Sequence, residues 1–579
     1  MKRLTAALCT IALLAAGAIH LASAQSVSRP GLDSTLTTIP PAQAVRADNG
    51  MVVAQEYRAA RIGVQILDRG GNAVDAAVAV GFAMAVTYPR AGNIGGGGFM
   101  VIHRANGEDV AIDYRETAPA AATSTMFLDA NGEPDPKKSR DSALAIGVPG
   151  TVAGLTLARE KYGSGKFSLA QLMAPAIALA QSGVRVTDDT ADSLPNARER
   201  LARWPAAATI FLKNGGEPLG NGDRLLQFDL ADTLKLIAEH GPAGFYEGRT
   251  ARTLAREIRA AGGLITENDL KNYRAVVRQP VRGTYRGYDI VSMPPPSSGG
   301  VALIEMLNIL EDYQLGALPK PQAQHLIIEA MKRAYADRAQ FLGDPTTVDV
   351  PVKGLISKKY AATLRAGIDD KATPSADIRP GDPKAHEGDN TTHFSVIDRD
   401  GNAVSNTYTL NFSYGLGMVA DGTGVLLNNE MDDFTAKAGA SNAYGLVQYE
   451  ANLPGPGKRP LSSMSPTIVL KDGKPILITG SPGGSRIISA VLQIILNSLD
   501  FGMTIDKAVS APRLHHQWQP DEVRVEPGFD PALLADLAAR GHNVVQARPG
   551  TSANSIAVTK DGIVGAADPR TRGSLAAGY

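Results

Sequence analysis

Apolar positions along this chain repeat with two different periods, and these periods predict helices and strands in alternation. Where apolar residues recur at every third or fourth position, one face of a helix is buried. This spacing predicts helices at residues 54–67, 73–86, 151–162, 169–182, 231–239, 250–261, 300–310 and 486–499. The helix at 73–86 is apolar and alanine-rich around most of its circumference, so we expect it to be buried.

Shorter runs rich in Val, Ile, Phe and Thr are typical of strands, because branched and aromatic side chains pack well on a pleated sheet. Asp-Gly dipeptides at 400–401 and 472–473 predict tight hairpins. The strands that we expect, including the pairs that these hairpins join, lie at residues 99–103, 109–114, within 389–398, and at 403–410, 424–428, 467–470 and 475–479.

Two glycine-rich stretches differ in what they predict. Residues 95–98 are four consecutive glycines that lead into a strand, and their place between apolar elements favours close backbone approach over a flexible spacer. Residues 371–390, in contrast, are polar and rich in Pro, Asp and Gly. We expect an exposed segment there, and exposed segments are where a chain is most readily cut.

Composition and charge exclude some classes of protein. Lys+Arg and Asp+Glu both number 58, so the formal net charge is zero and no overall basic field attracts nucleic acid. We therefore predict no nucleic-acid partner. A hydrophobic content of 44% with 20% charged residues is typical of a globular protein with a large core.

Residues 1–24 are typical of a secretory signal peptide. Two basic residues precede an apolar run, and Ala22-Ser23-Ala24 fits a cleavage site before Gln25. The alternative is a retained membrane anchor, but no later run reaches the ~18 apolar residues of a spanning helix. We expect a periplasmic or secreted protein without an anchor. Cys9 is the only cysteine and leaves with this peptide, so we predict no disulfide and no thiolate.

Two pairs of potential ligands raise the question of a metal. Asp432 and Asp433 do not have the spacing of an EF-hand calcium loop. His515 and His516 are adjacent, so on a strand their side chains would point to opposite faces. We therefore predict neither a metal site nor a bound cofactor.

Acyl transfer needs a nucleophile, and the chain has neither a Gly-x-Ser-x-Gly elbow nor a cysteine after the leader. Thr391 is the remaining candidate, but a threonine hydroxyl is weak unless a base takes its proton. If the chain is cut between Asn390 and Thr391, the free α-amine, with a pKa of about 7.7–8.0, can serve as that base. The same hydroxyl can make the cut by attacking the preceding carbonyl. On these residues alone, a Thr-Thr pair is better explained as part of a strand.

Residues 480–485 read Gly-Ser-Pro-Gly-Gly-Ser and lead into the helix predicted at 486–499. Backbone N–H groups at a helix N-terminus bind anions, and glycine allows a substrate to approach closely enough to use them as an oxyanion hole. An ordinary strand-to-helix turn explains this motif equally well.

Taken in order, six motifs closely resemble the γ-glutamyltranspeptidases, a family of N-terminal nucleophile hydrolases. The motifs are TTHFSV (391–396), GNAV (401–404), TLN (409–411), NNEMDDF (428–434), KRPLSSMSP (458–466) and GSPGGSR (480–486). Further matches lie at residues 71–76, 95–100, 115–116, 568–570 and 577–579, so the resemblance covers almost the whole chain after the leader.

The resemblance implies a role for each matching residue. Thr391 would be the nucleophile in self-cleavage and catalysis, Thr409 would hold it, and the amides of Gly483 and Gly484 would bind the oxyanion. The remaining roles concern a γ-glutamyl group, and the implied binding residues are Arg115, Ser462 and Ser463 for its α-carboxylate, Asn411, Glu430 and Asp433 for its α-ammonium, and Tyr444 for the lid. Other members of the family have Gln at position 430, which accepts a hydrogen bond as Glu does.

The resemblance also implies the fold and the partners. We expect an α+β protein with a four-layer αββα sandwich, made from a large chain (25–390) and a small chain (391–579) that stay together as a heterodimer. Its activity would be that of a γ-glutamyltransferase and glutathione hydrolase. The substrates would be glutathione and other γ-glutamyl compounds, with water, amino acids or dipeptides as acceptors.

Two alternatives remain open at this stage. A glutaryl-type cephalosporin acylase has the same fold, but its substrate lacks the α-ammonium that Glu430 and Asp433 would face. A non-enzymatic exported amino-acid-binding protein would leave Thr391 as a plain strand residue, and such a protein would run as one intact band on a denaturing gel.

Overall fold

The strands at the centre of the protein are buried on both faces, as their continuous apolar runs require. The computed structural model describes residues 38–380, 392–442 and 445–579. In it, two seven-stranded sheets lie face to face, and helices cover the outer face of each sheet. The predicted α+β class and its αββα sandwich are confirmed.

Within the described residues the strands are, in chain order, β1 (Ala44–Ala47), β2 (Met51–Ala54), β3 (Gly97–His103), β4 (Asp109–Tyr114), β5 (Val184–Arg185), β6 (Arg224–Leu225), β7 (Val276–Arg278), β8 (Val281–Tyr285), β9 (Tyr288–Ser292), β10 (Thr392–Ile397), β11 (Ala403–Thr409), β12 (Val419–Ala420), β13 (Val425–Leu426), β14 (Thr467–Lys471), β15 (Lys474–Thr479), β16 (Leu514–His515), β17 (Val523–Val525), β18 (Val544–Gln546), β19 (Ser555–Thr559), β20 (Gly562–Ala566) and β21 (Leu575–Gly578).

The α-helices of the same residues are α1 (Tyr57–Asp68), α2 (Ala73–Thr87), α3 (Pro136–Arg140), α4 (Thr151–Tyr162), α5 (Leu169–Ser182), α6 (Asp188–Ala202), α7 (Pro205–Phe211), α8 (Phe228–His240), α9 (Ala243–Tyr246), α10 (Gly248–Ala260), α11 (Glu267–Asn272), α12 (Gly299–Leu310), α13 (Lys320–Phe341), α14 (Val352–Leu355), α15 (Lys358–Arg365), α16 (Arg486–Leu499), α17 (Ile505–Ser510) and α18 (Pro531–Ala539). None of them combines the length and hydropathy needed to cross a membrane.

The two sheets are antiparallel throughout. The first sheet has the order β21-β2-β10-β11-β3-β4-β7, and the second has the order β1-β20-β19-β15-β14-β9-β8. The first sheet packs on α1, α2 and α4, with α5 behind α2, whereas the second packs on α12 and α17, with α13 and α16 packed against α12. Helix α2 is buried at every position, as its apolar sequence predicted.

Strand β10 is the third of seven strands in the first sheet, with β2 on one side and β11 on the other. It begins at Thr392, which follows Thr391 directly in the sequence. The hairpin to β11 pairs Ile397 with Ala403, and Gly401 has a φ of 90° in the turn. The Asp-Gly signal therefore predicted this hairpin correctly, and it did the same for β14 and β15.

The four consecutive glycines lie where β3 meets its neighbours. A Cβ atom on Gly96 would overlap the carbonyl oxygen of Thr409, and one on Gly95 would overlap that of Leu426. The prediction of close backbone approach is confirmed, because no side chain fits between these strands.

The sequence pattern did not predict some elements, because they are stabilised by tertiary burial and have no clear apolar periodicity. Helix α13 is 22 residues long and almost entirely buried, yet five charged side chains among Glu329–Arg338 interrupt its apolar pattern. The helix predicted at 54–67 begins only at Tyr57, because Met51–Ala54 forms β2 and Glu56 caps the helix. A short strand directly before a cap has no periodicity of its own to recognise.

We predict that Gly96→Ala destabilises the protein, because the added methyl group meets backbone that cannot move aside. Overpacking of this kind costs about 1–3 kcal/mol. A fall in the melting temperature, measured by differential scanning calorimetry, would reveal it. Gly354→Ala is the matched control, since nothing lies within 4 Å of a Cβ there. Equal melting temperatures for the two variants would contradict the prediction.

Candidate active site

Arg115 follows the last residue of β4 and lies in the interior of the protein, with only 1% of its side chain exposed. Its Nε donates to the carbonyl of Pro460 at 3.0 Å, and Nη2 donates to the carbonyl of Leu461 at 3.0 Å. Its two terminal nitrogens also form ion pairs with Glu430 and Asp433. A buried cation held in this way is a fixed binding group, not a surface charge.

The two acids come from a single 3₁₀ turn, Glu430–Asp433, which follows β13. Asn428 fixes this turn, because its Oδ1 accepts from the backbone N–H of Glu430 at 3.0 Å. Its Nδ2 donates to the carbonyls of Gly95 and Gly147, each at 2.8 Å. Through Asn428, the backbone at Gly95 and Gly147 therefore positions the turn that carries the two carboxylates.

A third carboxylate belongs to Glu116, whose Oε2 lies 3.8 Å from Arg115 Nη1. Burial raises the pKa of Glu116 to about 7, although Arg115 opposes the rise. Burial also raises the pKa of Glu430 well above its ordinary value, against Arg115 and with help from Glu116 and Asp433. For Arg115, burial lowers the pKa, but the surrounding acids outweigh it and raise the pKa overall. One guanidinium thus faces three carboxyl groups.

Several buried acceptor atoms in this cluster have no hydrogen-bond partner among the described residues. They are both carboxylate oxygens of Glu116, Oε2 of Glu430 and Oδ1 of Asn411. A buried acceptor without a donor is costly, so these atoms mark a place for a donor from outside the protein. With the guanidinium beside them, they can hold the ammonium and carboxylate of an α-amino acid.

Asn411 and Thr409 lie at the end of β11, near the turn of acids. The backbone N–H of Asn411 donates to Thr409 Oγ1 at 2.8 Å, and its Nδ2 donates to the Asn429 carbonyl at 2.9 Å. Asn411 has a φ of 68°, a left-handed conformation that asparagine tolerates better than most residues. The backbone conformation of Asn411 orients its side chain, whose Oδ1 has no hydrogen-bond partner among the described residues.

Ser462 and Ser463 follow the segment that carries the Pro460 and Leu461 carbonyls. The backbone N–H of Ser462 donates to Pro296 at 3.0 Å, and its carbonyl accepts from the N–H of Ser298 at 2.8 Å. Ser463 Oγ lies 3.5 Å from Arg338 Nη2. Both serines directly follow the two carbonyls that bind Arg115, and their predicted role in binding a carboxylate stays a prediction.

Gly483 and Gly484 lie between β15 and α16, with φ values of 129° and 69°. A Cβ on Gly483 would come within 2.6 Å of the Gly550 carbonyl oxygen. The N-terminus of a buried, 14-residue helix lies directly behind the pair. Both positive φ values favour glycine, and Gly483 lines the same cavity as Asn411.

Thr392 and His393 have structural contacts within and beside strand β10. Thr392 Oγ1 donates to Gln55 Oε1, and His393 is fully buried between Thr407 Oγ1 at 2.9 Å and Ser395 Oγ at 3.0 Å. Burial lowers the pKa of His393 to about 3, so the ring is neutral. Thr391 and Tyr444 lie outside the described residues, so their predicted roles stay predictions.

The pairs considered for metal binding have other partners. Asp432 Oδ1 accepts from Ser139 Oγ at 2.6 Å, away from Arg115. His515 Nδ1 lies 2.8 Å from Ser489 Oγ, and His516 Nε2 lies 3.1 Å from Asp521 Oδ1, so the two rings have separate partners.

A further group of potential ligands in the described chain is His325, Glu329 and His542. The carboxylate of Glu329 already binds Lys332 at 3.1 Å and Arg333 at 2.6 Å. Two cations on the only acidic ligand oppose a metal ion there.

Sequence reasoning assigned no role to Glu116, Asn428 or Arg459. Arg459 Nη1 donates to Asp113 Oδ1 at 3.1 Å and also contacts the carbonyl of Arg115. The signal for Glu116 was present, since an acid directly beside a predicted carboxylate-binding arginine is unusual. Apart from its place in a motif, nothing in the sequence indicated a role for Asn428. Its side chain binds distant backbone groups, and a sequence does not show such contacts.

Comparison with known proteins agrees with this geometry. A model of the Gamma-glutamyltranspeptidase family matches residues 59–578. The Glutathione hydrolase proenzyme of Escherichia coli strain K12 is 53% identical over 540 residues, which cover 92% of this chain and 93% of that protein.

Two solved structures extend the comparison. Cephalosporin acylase from Bacillus halodurans has a TM-score of 0.82 at 28% identity, covering 93% of this chain and 97% of its own. Helicobacter pylori gamma-Glutamyltranspeptidase has a TM-score of 0.55 at 49% identity, covering 56% of this chain and 93% of its own. The family match spans most of the chain, and the high identity extends over nearly all of the E. coli relative. The chain therefore belongs to the gamma-glutamyltranspeptidase family.

Proposed function

We propose that the protein is a γ-glutamyltransferase and glutathione hydrolase that acts in the periplasm or outside the cell. The observation that carries this proposal is the buried cluster of Arg115 with Glu116, Glu430 and Asp433. A γ-glutamyl donor presents an α-carboxylate and an α-ammonium on one carbon. The guanidinium matches the first group, and the acids with Asn411 match the second.

Thr391 is the nucleophile in this proposal. Its hydroxyl attacks the Asn390 carbonyl, so the acyl group moves from nitrogen to Oγ1 as the peptide bond breaks and frees the α-amine of Thr391. Water then hydrolyses this ester, which releases the Asn390 carboxylate and the Thr391 hydroxyl. In the mature enzyme this amine takes the hydroxyl proton while Oγ1 attacks the γ-amide carbon of the donor. The amides of Gly483 and Gly484 hold the oxyanion, Thr409 positions Thr391, and the proton passes to the leaving amine.

The mixing of strands supports a lasting heterodimer. In the first sheet, β10, β11 and β21 lie after the proposed junction, whereas β2, β3, β4 and β7 lie before it. The second sheet is mixed in the same way, since β1, β8 and β9 precede the junction and β14, β15, β19 and β20 follow it. Separation of a large chain (25–390) from a small chain (391–579) would break both sheets.

Other parts of the proposal rest on sequence. Residues 1–24 act as the signal peptide, and export places the enzyme in the periplasm or medium. Tyr444 belongs to the segment that covers the site. The leaving group and acceptor are amino-terminal amines of peptides or free amino acids, with water as the competing acceptor.

We predict that Thr391→Ala leaves one uncut, inactive chain, because the variant lacks the hydroxyl that makes the cut. Denaturing electrophoresis and amino-terminal sequencing of the purified protein measure this directly, and the wild-type small chain should begin at Thr391. Thr391→Ser is the matched control and should still be cut, since it retains a hydroxyl and yields an amine. If Thr391→Ala were processed and active, the assigned nucleophile would be wrong.

A cephalosporin acylase is the second candidate, because a protein of that name shares the fold. Its glutaryl substrate has no ammonium to meet Glu430 and Asp433, which are buried beside the unpartnered Glu116. A site built for a charged group discriminates strongly against an analogue that lacks it.

We therefore predict that γ-glutamyl-p-nitroanilide is hydrolysed at least about a hundredfold faster than glutaryl-p-nitroanilide, as judged by kcat/KM. Release of p-nitroaniline measures both reactions. Equal values, or a preference for the glutaryl compound, would favour the acylase.

Replacing each of the two acids that bind Arg115 by its neutral amide should change donor kcat/KM to different extents. The raised pKa of Glu430 favours a protonated carboxyl, so Glu430→Gln should leave donor kcat/KM at pH 7 within about threefold of wild type. Asp433→Asn removes a charge that pairs with the ammonium, so it should lower donor kcat/KM by about tenfold or more. Steady-state kinetics with γ-glutamyl-p-nitroanilide compare the two. An equal loss in both variants would refute the protonated form of Glu430.

A further inference from the structure

A small cavity opens beside Gly483. Its volume is about 60 Å³, and its walls include Asn411 and Ser413. A water-sized group needs about 10–15 Å³, so the cavity holds four to six such groups. Glycine has five non-hydrogen atoms, so the head of an amino acid fits this space.

One wall of the cavity carries an ion pair. Arg90 Nη1 lies 2.6 Å from Asp189 Oδ1, and the two side chains are 15% and 12% exposed. Arg90 Nε also donates to Ser413 Oγ at 3.1 Å, which fixes the guanidinium against the segment that follows Asn411. The pair is therefore rigid and partly shielded from water, conditions under which charges bind ligands strongly.

One carboxylate oxygen of Asp189 can still accept a hydrogen bond. Its Oδ2 is buried and has no hydrogen-bond partner among the described residues. The same carboxylate acts on Tyr88, another lining residue: burial raises the pKa of Tyr88 well above its ordinary value, and Asp189 adds to the rise. The phenol therefore stays protonated. An unpartnered carboxylate oxygen that is almost fully buried calls for an external N–H donor.

The spacing of the two charges indicates the ligand. The amine and carboxylate of an α-amino acid share one carbon, so they lie close together and match a cation and an anion in contact. The amine and carboxylate of a dipeptide are separated by a peptide unit and cannot reach both groups as well.

We propose that this cavity is the acceptor subsite, in which Arg90 binds the α-carboxylate of an amino acid and Asp189 accepts a hydrogen bond from its amine. The inference rests on the proposed transferase function and adds the recognition of the second substrate. The acceptor first loses an ammonium proton to solvent. Its amine then attacks the γ-glutamyl ester of Thr391, a C–N bond forms, and the C–O bond to Thr391 Oγ1 breaks. The second amine proton returns to that oxygen through the Thr391 α-amine.

The test compares acceptors that differ in one charge. With γ-glutamyl-p-nitroanilide as donor, we measure the ratio of transfer product to free glutamate for L-methionine, L-methioninamide and glycylglycine. In the wild type, the ratio should be about tenfold higher for methionine than for methioninamide, because a hydrogen-bonded charge is lost in the amide. Arg90→Gln should abolish this preference, whereas its ratio for glycylglycine should change much less.

Asp189→Asn should also lower the ratio for methionine, because the amide cannot offer the same acceptor to the amine. Arg104→Gln is the matched control, since Arg104 pairs with Glu108 on a distant, exposed turn, and it should keep the wild-type ratios. A merely structural role for Arg90 would lower the ratios for all three acceptors together, and that result would overturn the proposal.

The comparison of methionine with methioninamide in the wild type needs no variant, so it decides the matter even if Arg90→Gln does not fold. Equal ratios there would overturn the acceptor subsite and leave the transferase function intact. A wild type that releases no p-nitroaniline would overturn the proposed function and this inference with it.

Discussion

The charge of Arg115 is buried away from water, and the rest of the site is built to meet that constraint. A guanidinium in the interior is stable only if acids and carbonyls surround it. Glu430 and Asp433 supply the acids, and the backbone after Arg459 supplies the carbonyls. Arg459 in turn binds Asp113 and the Arg115 carbonyl, so a second buried arginine fixes the first. Three carboxyl groups surround one cation, and those of their oxygens that lack a hydrogen-bond partner among the described residues can accept from the ammonium of the proposed substrate.

This cluster exists only when both halves of the chain are folded together. Arg115 and Glu116 precede the proposed cleavage point between Asn390 and Thr391, whereas the turn Glu430–Asp433 follows it. Asn428 joins the halves by binding the carbonyls of Gly95 and Gly147. The glycines at 95–98 let those backbones approach, so a loop motif with no chemistry of its own determines where the acids lie. The same contacts that join the two halves of the chain therefore also position the carboxyl groups around Arg115.

The sequence predicted the local features well and the long-range ones only through resemblance. The two Asp-Gly hairpins, the buried helix α2 and the close glycines follow from backbone chemistry alone, and the structure has all of them. The meeting of Arg115 with Glu430 and Asp433, separated by more than three hundred residues, has no periodic or local signal. Helix α13 was missed for a related reason, since its buried charges are satisfied by distant partners and hide its apolar face.

The cluster around Arg115 and the pair of Arg90 and Asp189 differ in charge balance, and that difference fits the donor and acceptor roles that we propose for them. The cluster around Arg115 is almost fully buried and places three carboxyl groups around one guanidinium, which suits the ammonium of the proposed donor. The pair of Arg90 and Asp189 is balanced and partly open to water. A balanced ion pair loses less binding free energy when its ligand releases a proton. An acceptor amine must release protons to react. Because this pair is partly exposed, water can reach the proposed subsite beside the acceptor, and the proposed geometry therefore allows both hydrolysis and transfer.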